Sequence, residues 1–237
     1  MASAKGKSGI HPKVAVFDVD GTLFRSSLLI QLVEQLIRDG TFPEETQAAY
    51  AKQHEKWLDR EGDYESYIQG VIEAFTEHLT GVHYGALADA AKRMVAAQWK
   101  HTYRYPRALI KELKDRGYYL LAISHSPKTV LDKFCPRLGF DKVYGLLYEI
   151  DSDDKFTGKI IDEQALDKAY VIRRAIDKEE LKLTNSIGVG DTESDIPFLE
   201  IVARPICFNP NAKLYAHAKK HGWKVVVERK DVIYTIQ

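Results

Sequence analysis

A short run near the start of the chain, Lys13 to Phe17 (KVAVF), limits the fold more than any other feature. After its first residue it is apolar and rich in β-branched side chains, with no polar alternation. A strand with one wet face alternates apolar and polar residues, so this run belongs to a strand covered on both faces, as in a parallel sheet between helices. It breaks abruptly into Asp18-Val-Asp20-Gly21-Thr22. Two carboxylates therefore stand at a strand's carboxyl end, the side on which open parallel sheets bind their ligands.

The remaining pattern agrees with an α/β class. A helical stretch is predicted over 26–38, and from there to about Thr102 the chain has helical spacing and no strand. After Tyr105-Pro106, strand and helix alternate. Helices are predicted over 107–116, from Ser126 or Pro127 to Leu138, and over 166–178, 196–202 and 212–221. Strands are predicted over 118–123, 186–189, 205–208 and 224–227. Val143–Ile150 and Phe156–Ile161 are expected to form a hairpin around Asp151-Ser-Asp-Asp. The expected organisation is an α/β core of residues 1–25 plus 104–237 and a helical insert of residues 26–103. Residues 1–12 are expected to be a loose tail.

Charge narrows the partners. Lys plus Arg equals Asp plus Glu, 34 of each, so no electrostatic pull toward nucleic acid or an anionic membrane is expected. A small soluble substrate suits that balance. The two cysteines, Cys135 and Cys207, form neither a disulfide framework nor a thiolate metal site. The first ten residues lack an apolar signal core, and no apolar run is long enough to span a bilayer. A cytoplasmic location is expected.

Three loops that follow strands carry the chemistry. In the first, Asp18 is placed to act as a nucleophile toward phosphorus, and Asp20 to protonate the leaving oxygen and then activate water. Gly21 would let the backbone approach a phosphate, and the Thr22 hydroxyl is expected to orient Asp20. A calcium loop counted from Asp18 would need an oxygen ligand fifth and glycine sixth, and the sixth residue is Leu23. The second loop, Ser124-His125-Ser126-Pro127, offers a hydroxyl and helix amides to a phosphate, with His125 a further candidate contact. In the third, Asp191 leaves its strand on the same side as Asp18, so both could ligate one Mg²⁺. Asp195 is expected either to hold a metal-bound water or to orient a lysine, and Thr192 with Asp195 has capping-box spacing. A cation is still required. Lys128, Lys133, Lys142, Lys155, Lys159, Lys168, Lys178 and Lys182 are candidates that spacing does not separate.

The ordered set of FDVDGTLF (17–24), a strand ending in Ser124, a lysine and GDTESD (190–195) resembles the haloacid dehalogenase superfamily. The resemblance implies a Rossmann-like core, Asp18 as nucleophile, Asp20 as general acid and base, and Ser124 as phosphate ligand. It also implies Mg²⁺ on the Asp18 carboxylate, the Asp20 backbone carbonyl and Asp191, and it selects Lys168 among the lysines. Dehalogenases of the superfamily lack the second aspartate; Asp20 is present, which implies phosphoryl chemistry. The insert stands where the superfamily places a cap, here an all-helical (C1-type) one, and with SHSP and GDTESD it is similar to the phosphoserine-phosphatase-like subclass (IB). Phosphoserine phosphatases carry a glutamate nine residues after the nucleophile; that position is Ser27, and Gly21 replaces a frequent serine. The expected activity is Mg²⁺-dependent hydrolysis of a small phosphorylated metabolite through an aspartyl-phosphate, with phosphoserine not the preferred substrate. A phosphotransferase or mutase would use the same residues with an alcohol acceptor. A non-catalytic binding protein would be signalled by loss of Asp18 or Asp20, and both are kept. The cap aromatics, among them Trp57, Tyr64 and Tyr67, are expected to pack helices together rather than to form a cage.

Overall fold

The computed structural model describes residues 11–236, so the first ten residues of the expected tail lie outside the described residues. The apolar run becomes β1 (Lys13–Phe17), followed by four insert helices, α1 (Leu28–Arg38), α2 (Ala51–Leu58), α3 (Tyr64–Leu79) and α4 (Tyr84–Gln98). Next come α5 (Arg104–Asp115), β2 (Tyr119–Pro127), α6 (Lys128–Phe134), β3 (Lys142–Leu146), β4 (Tyr148–Ile150) and β5 (Phe156–Ile160). The chain ends with α7 (Lys168–Lys178), β6 (Lys182–Gly190), α8 (Ile196–Leu199), β7 (Arg204–Phe208), α9 (Ala212–His221), β8 (Lys224–Arg229) and β9 (Val232–Ile236).

One sheet runs β3-β2-β1-β6-β7-β8-β9, and every neighbouring pair is parallel except β8 with β9. The chain builds outward from β1 to one side, then crosses and builds to the other. The strand order therefore reverses between β1 and β6, the place where an α/β sheet opens a crevice at its carboxyl edge. Phe17 sits level with Ala122 on one side and Val189 on the other, so the loops beginning at Asp18, Ser124 and Asp191 converge.

Side-chain alternation divides the core. Ala15 and Phe17 point into the layer shared with the insert and α6, while Val14 and Val16 point into the layer under α7, α8 and α9. All four are fully buried, as the absence of polar alternation requires. In the insert, Leu28, Leu29, Leu32, Val33 and Leu36 form the buried stripe of α1. Each such leucine contributes roughly 1.5–3 kcal/mol through burial. Ser27 caps this helix, its Oγ accepting from the backbone N–H groups of Leu29 and Ile30 at 3.1 and 3.4 Å.

Beside the packing of α1 and α4 on α6, two sets of backbone bonds tie the insert to the rest. Its entry and exit segments run side by side, with Arg25 N–H donating to the His101 carbonyl and Tyr103 N–H to the Leu23 carbonyl, each at 3.0 Å. On its far flank it bonds to the β4–β5 hairpin. Gly81 N–H donates to Phe156 O (2.8 Å), Phe156 N–H to Val82 O (2.9 Å), and Tyr84 N–H to Asp154 O (2.7 Å).

Several boundaries differ from the sequence expectation. The run Val143–Ile150 is not one hairpin arm: β3 joins the main sheet beside β2, Leu147 is exposed at the break, and only β4 pairs with β5. Ser126 and Pro127 extend β2 instead of opening a helix, and α6 starts at Lys128 with no side-chain cap. The helix expected over 196–202 stops at Leu199. The antiparallel edge strand β9 was not expected, because its residues are largely exposed and leave little burial pattern. Cys135 and Cys207 are buried free thiols, and no helix of the described residues is long and apolar enough to cross a membrane.

Candidate active site

Alternation along β1 sends Asp18 toward the α7 side, after Val14 and Val16. Its backbone N–H donates to the Val189 carbonyl at 2.9 Å, holding the loop against β6. Lys168 is the first residue of α7, which Asp167 caps through the N–H groups of Ala169 and Tyr170. From there its Nζ donates to Asp18 Oδ1 at 2.7 Å and to Asp195 Oδ1 at 2.6 Å. All three side chains are at least 95% buried. The other oxygen of Asp18, Oδ2, is buried and has no hydrogen-bond partner.

Asp195 is fully committed. Besides Lys168 on Oδ1, its Oδ2 accepts from the N–H groups of Asp191 and Thr192 at 2.9 and 3.1 Å. Of its two expected roles, the geometry gives it the orienting of a lysine. A Cβ on Gly190 would stand 2.5 Å from Asp195 Oδ2, so glycine is required there by close approach.

Thr22 does not orient Asp20 as expected; its Oγ1 donates to Asp191 Oδ1 at 3.1 Å. Gly21 also serves Asp191. Its φ is +79°, and a Cβ there would come 2.1 Å from Asp191 Oδ2, so the glycine makes room for a carboxylate.

Asp20 is oriented instead by α1 and β2. Its Oδ1 accepts from the N–H of Leu28, the first residue of α1, at 2.5 Å. Its Oδ2 accepts from the hydroxyls of Ser124 at 2.6 Å and Ser126 at 2.9 Å. Ser126 is a site residue that the sequence pattern placed at the start of a helix. Once β2 is seen to continue through Pro127, positions 124 and 126 share a face and 125 points away. His125 is accordingly on the opposite side, with its Nε2 2.9 Å from the Leu166 carbonyl rather than at the carboxylates. Burial first, then the Lys168 charge, lowers the affinity of His125 for a proton.

The electrostatics are one-sided. Among the described residues, Lys168 is the ammonium bonded within a group of four carboxylates: it holds Asp18 and Asp195, while Asp20 bonds serine hydroxyls and Asp191 the Thr22 hydroxyl. Burial pushes the Asp18 carboxyl up to about 7, against the pull of Lys168 and with Asp195 and Asp20 adding to the rise. Burial likewise holds Asp191 well above the ordinary carboxylate range, with Asp18 and Asp195 as the next causes. Burial opposes the charge of Lys168, yet Asp18 and Asp195 outweigh it and keep the ammonium protonated. Oxygens of Asp18, Asp191 and Asp195 lie within 4.8 Å of one another. An all-oxygen donor set, an unpartnered buried carboxylate oxygen and surplus negative charge fit a hard divalent cation.

The insert reaches this cluster through the start of α3. Burial raises the Tyr64 phenol strongly, and Asp20, Asp191 and Asp18 are among the further causes. Tyr64 also packs against Trp57 and Tyr67, so these aromatics hold helices together, as expected.

Comparison with known proteins places these features in a family. Residues 15–200 match the model of the haloacid dehalogenase-like hydrolases. The chain is 27% identical over 230 residues to a histidinol-phosphatase of Neisseria meningitidis, covering 90% of this chain and 97% of that one. It is 26% identical over 218 residues to a phosphoserine phosphatase of Mycobacterium tuberculosis, covering 89% and 69%. A solved structure of phosphoserine phosphatase with an analogue of its phospho-aspartyl intermediate shares the fold. Its TM-score is 0.60 at 20% identity, covering 94% of this chain and 96% of that one.

Proposed function

We propose, from the premise that this chain belongs to the haloacid dehalogenase-like hydrolases, that it hydrolyses phosphomonoesters of small metabolites through an aspartyl-phosphate on Asp18. The observation that carries this is Asp18 itself: a buried carboxylate at the switch point of the sheet, with one oxygen fixed by Lys168 and the other uncommitted.

The Asp18 carboxylate attacks phosphorus, and the bond from phosphorus to the ester oxygen breaks. Asp20, in its protonated form, gives the departing oxygen its proton. Water then attacks the aspartyl-phosphate, Asp20 takes the proton from that water, and phosphate leaves with the Asp18 carboxylate restored. For these steps Asp20 must turn away from the hydroxyls it now binds. Phosphate oxygens that draw on the Ser124 and Ser126 hydroxyls would release it. Lys168 holds Asp18 in place and offers positive charge to the phosphoryl oxygens, and Asp195 keeps Lys168 aimed. Mg²⁺ on the Asp18 carboxylate, the Asp20 carbonyl and Asp191 would supply Lewis acidity and offset the repulsion between carboxylate and phosphate.

Residues 26–103 act as the cap in this reading. The start of α3 supports it: besides Tyr64 near the carboxylates, Asp63 and Glu65 are among the charges that raise Lys213 of α9, after its contact with Glu193. The leaving group would lie under Tyr64 and Tyr103. The relatives named above act on histidinol phosphate and phosphoserine by their names. For this chain phosphoserine is expected to be a poor substrate, because Ser27 brings no carboxylate for its ammonium and spends its oxygen on the cap of α1.

The test is phosphate release from an aryl phosphate, histidinol phosphate and phosphoserine, with Mg²⁺ and after chelation by EDTA. Release that needs Mg²⁺, slower with phosphoserine than with the aryl phosphate, is expected. No release from any phosphate ester with Mg²⁺ present would sink the reading. A second prediction concerns Gly21→Ala, which pushes on the Asp191 carboxylate. The Mg²⁺ concentration for half-maximal rate should rise by about 10–100-fold, the range seen when groups that orient ligands are lost. An unchanged Mg²⁺ requirement would remove Asp191 from the ligand set.

A further inference from the structure

The edge of the main sheet at β3 carries a second group of charges, opposite in sign to the carboxylate cluster. A cavity of about 200 Å³ lies there between β3 and α7. Among the described residues, Lys128, Lys142, Arg174 and Lys178 line it against one carboxylate, Asp162. Three of these cations are lysines that the proposed chemistry leaves unused. Lys142 and Tyr144 alternate onto one face of β3, and Tyr144 packs into the layer under α7. Arg174 and Lys178, four residues apart, share a face of α7. The Tyr144 hydroxyl is buried and has no hydrogen-bond partner. Burial raises this phenol, Glu179 adds to the rise and Arg174 opposes it, so both charges stand near its oxygen. The surrounding carboxylates do not use up the cations. Arg174 meets Asp162 at 3.1 Å and Lys128 meets Asp132 at 2.6 Å, but Lys142 stays 3.8 Å from Glu179. Among the described residues, the ion pairs of this region leave Lys178 out.

We infer that this cavity is a second anion site, which takes a phosphate group, free or on a small ester. Lys142 and Lys178 supply the charge, and the Tyr144 hydroxyl donates the hydrogen bond it now lacks. Arg174 turns from Asp162 to present its planar fork to the phosphate oxygens. The cavity is smaller than the roughly 300–1,000 Å³ of pockets that hold larger organic ligands, which suits an anion of a few atoms. Ser124 joins this site to the other. It lines the cavity, while its Oγ donates to Asp20 at 2.6 Å. An anion seated here therefore bears on the strand segment that aims Asp20. On the phosphatase reading, on which this consequence rests and the binding does not, the enzyme's own product slows turnover from a place the ester does not contest.

The full chain is titrated with inorganic phosphate in EDTA, followed by the shifts of its ¹⁵N-labelled amides. Without a divalent cation the carboxylate cluster repels phosphate, so saturable binding reports the cavity. Shifts centred on β3 and the last turn of α7 are expected. Tyr144→Phe removes a hydrogen bond to a charged group and should weaken binding by about 10–100-fold. Lys178→Gln should weaken it as well and flatten its dependence on salt. Tyr144→Phe keeps the ring and Lys178 is exposed, so both variants should fold. A parallel titration with glycerol phosphate separates the sources: equal affinity assigns the phosphate group alone, and tighter binding assigns an ester. No saturable binding of phosphate, or equal affinity in wild type and both variants, would overturn the site. With Mg²⁺ present, inhibition by phosphate that added ester does not relieve is expected in wild type and absent from Tyr144→Phe. Its persistence in that variant would sever the cavity from Ser124. Binding in EDTA with no turnover of any ester would sink the phosphatase reading and leave the site standing.

Discussion

Asp18→Asn is expected to fold normally and to lose Mg²⁺-dependent phosphate release by a factor on the order of 10⁴ or more. An amide in place of the carboxylate cannot make the covalent intermediate, and removal of a nucleophile from a catalytic unit has cost about 10⁶ elsewhere. The fold should tolerate the change because Lys168 keeps its contact with Asp195. The substitution also removes one negative charge from a cluster in which the carboxylates raise one another's proton affinity. Melting temperature should therefore hold or rise while turnover disappears. Phosphate release and thermal unfolding, measured on the same preparation, separate the two effects. Turnover within tenfold of wild type would exclude Asp18 as the nucleophile.

Lys168→Met should fail in both respects. Among the described residues the ammonium is the one cation bonded to Asp18 and Asp195, and all three side chains are buried. Taking one partner from a buried ion pair costs about 3–5 kcal/mol, because the remaining charge is left without compensation. For a chain of this size that is a fall of roughly 6–20 °C in melting temperature, at about 2–4 °C per kcal/mol. Activity should fall as well, by about 10²–10³ in turnover for the lost charge stabilisation alone. The fall should appear in kcat more than in KM if Lys168 acts mainly in the transition state. A variant that melts like wild type would mean that the buried triad does not hold the site together.

The contrast between the two variants follows from how each residue is placed. Asp18 stands where alternation along an unbroken apolar strand sends it, and that strand is legible from KVAVF alone. The convergence of Asp18, Ser124 and Asp191 was equally legible, since it needs only parallel strands that end level. The choice of Lys168 was not. Eight lysines were open on spacing, and the resemblance to a family selected the one that is buried at the start of a helix. Nothing local marks it except the capping Asp167 before it.

Two further misreadings share one cause. His125 and Ser126 were judged on where β2 stops, and turn residues such as Ser-Pro argue for an early stop. The strand continues because β3 runs beside it and pairs with it again at Pro127 after a register shift past Ile123, a long-range effect invisible to local propensity. With that extension, period-two alternation removes His125 from the site and brings Ser126 in. Thr22 failed differently. Its hydroxyl was expected on the nearer carboxylate, but the tight turn at Gly21 carries it to Asp191, 169 residues away in sequence.

The backbone bonds between the insert and the β4–β5 hairpin also bear on how the molecule can bend. Three N–H to carbonyl links fasten Gly81, Val82 and Tyr84 to a segment far beyond the insert in sequence, whereas the entry and exit segments meet in a narrow two-stranded neck. A pivot at that neck must either snap the three links or swing the hairpin along with the helices. Any swing of the insert that keeps them carries residues 148–160 along, between the exposed Leu147 and Ile161, and must also part α1 and α4 from α6. Mechanically the hairpin and the insert are one coupled piece assembled from two distant stretches of chain.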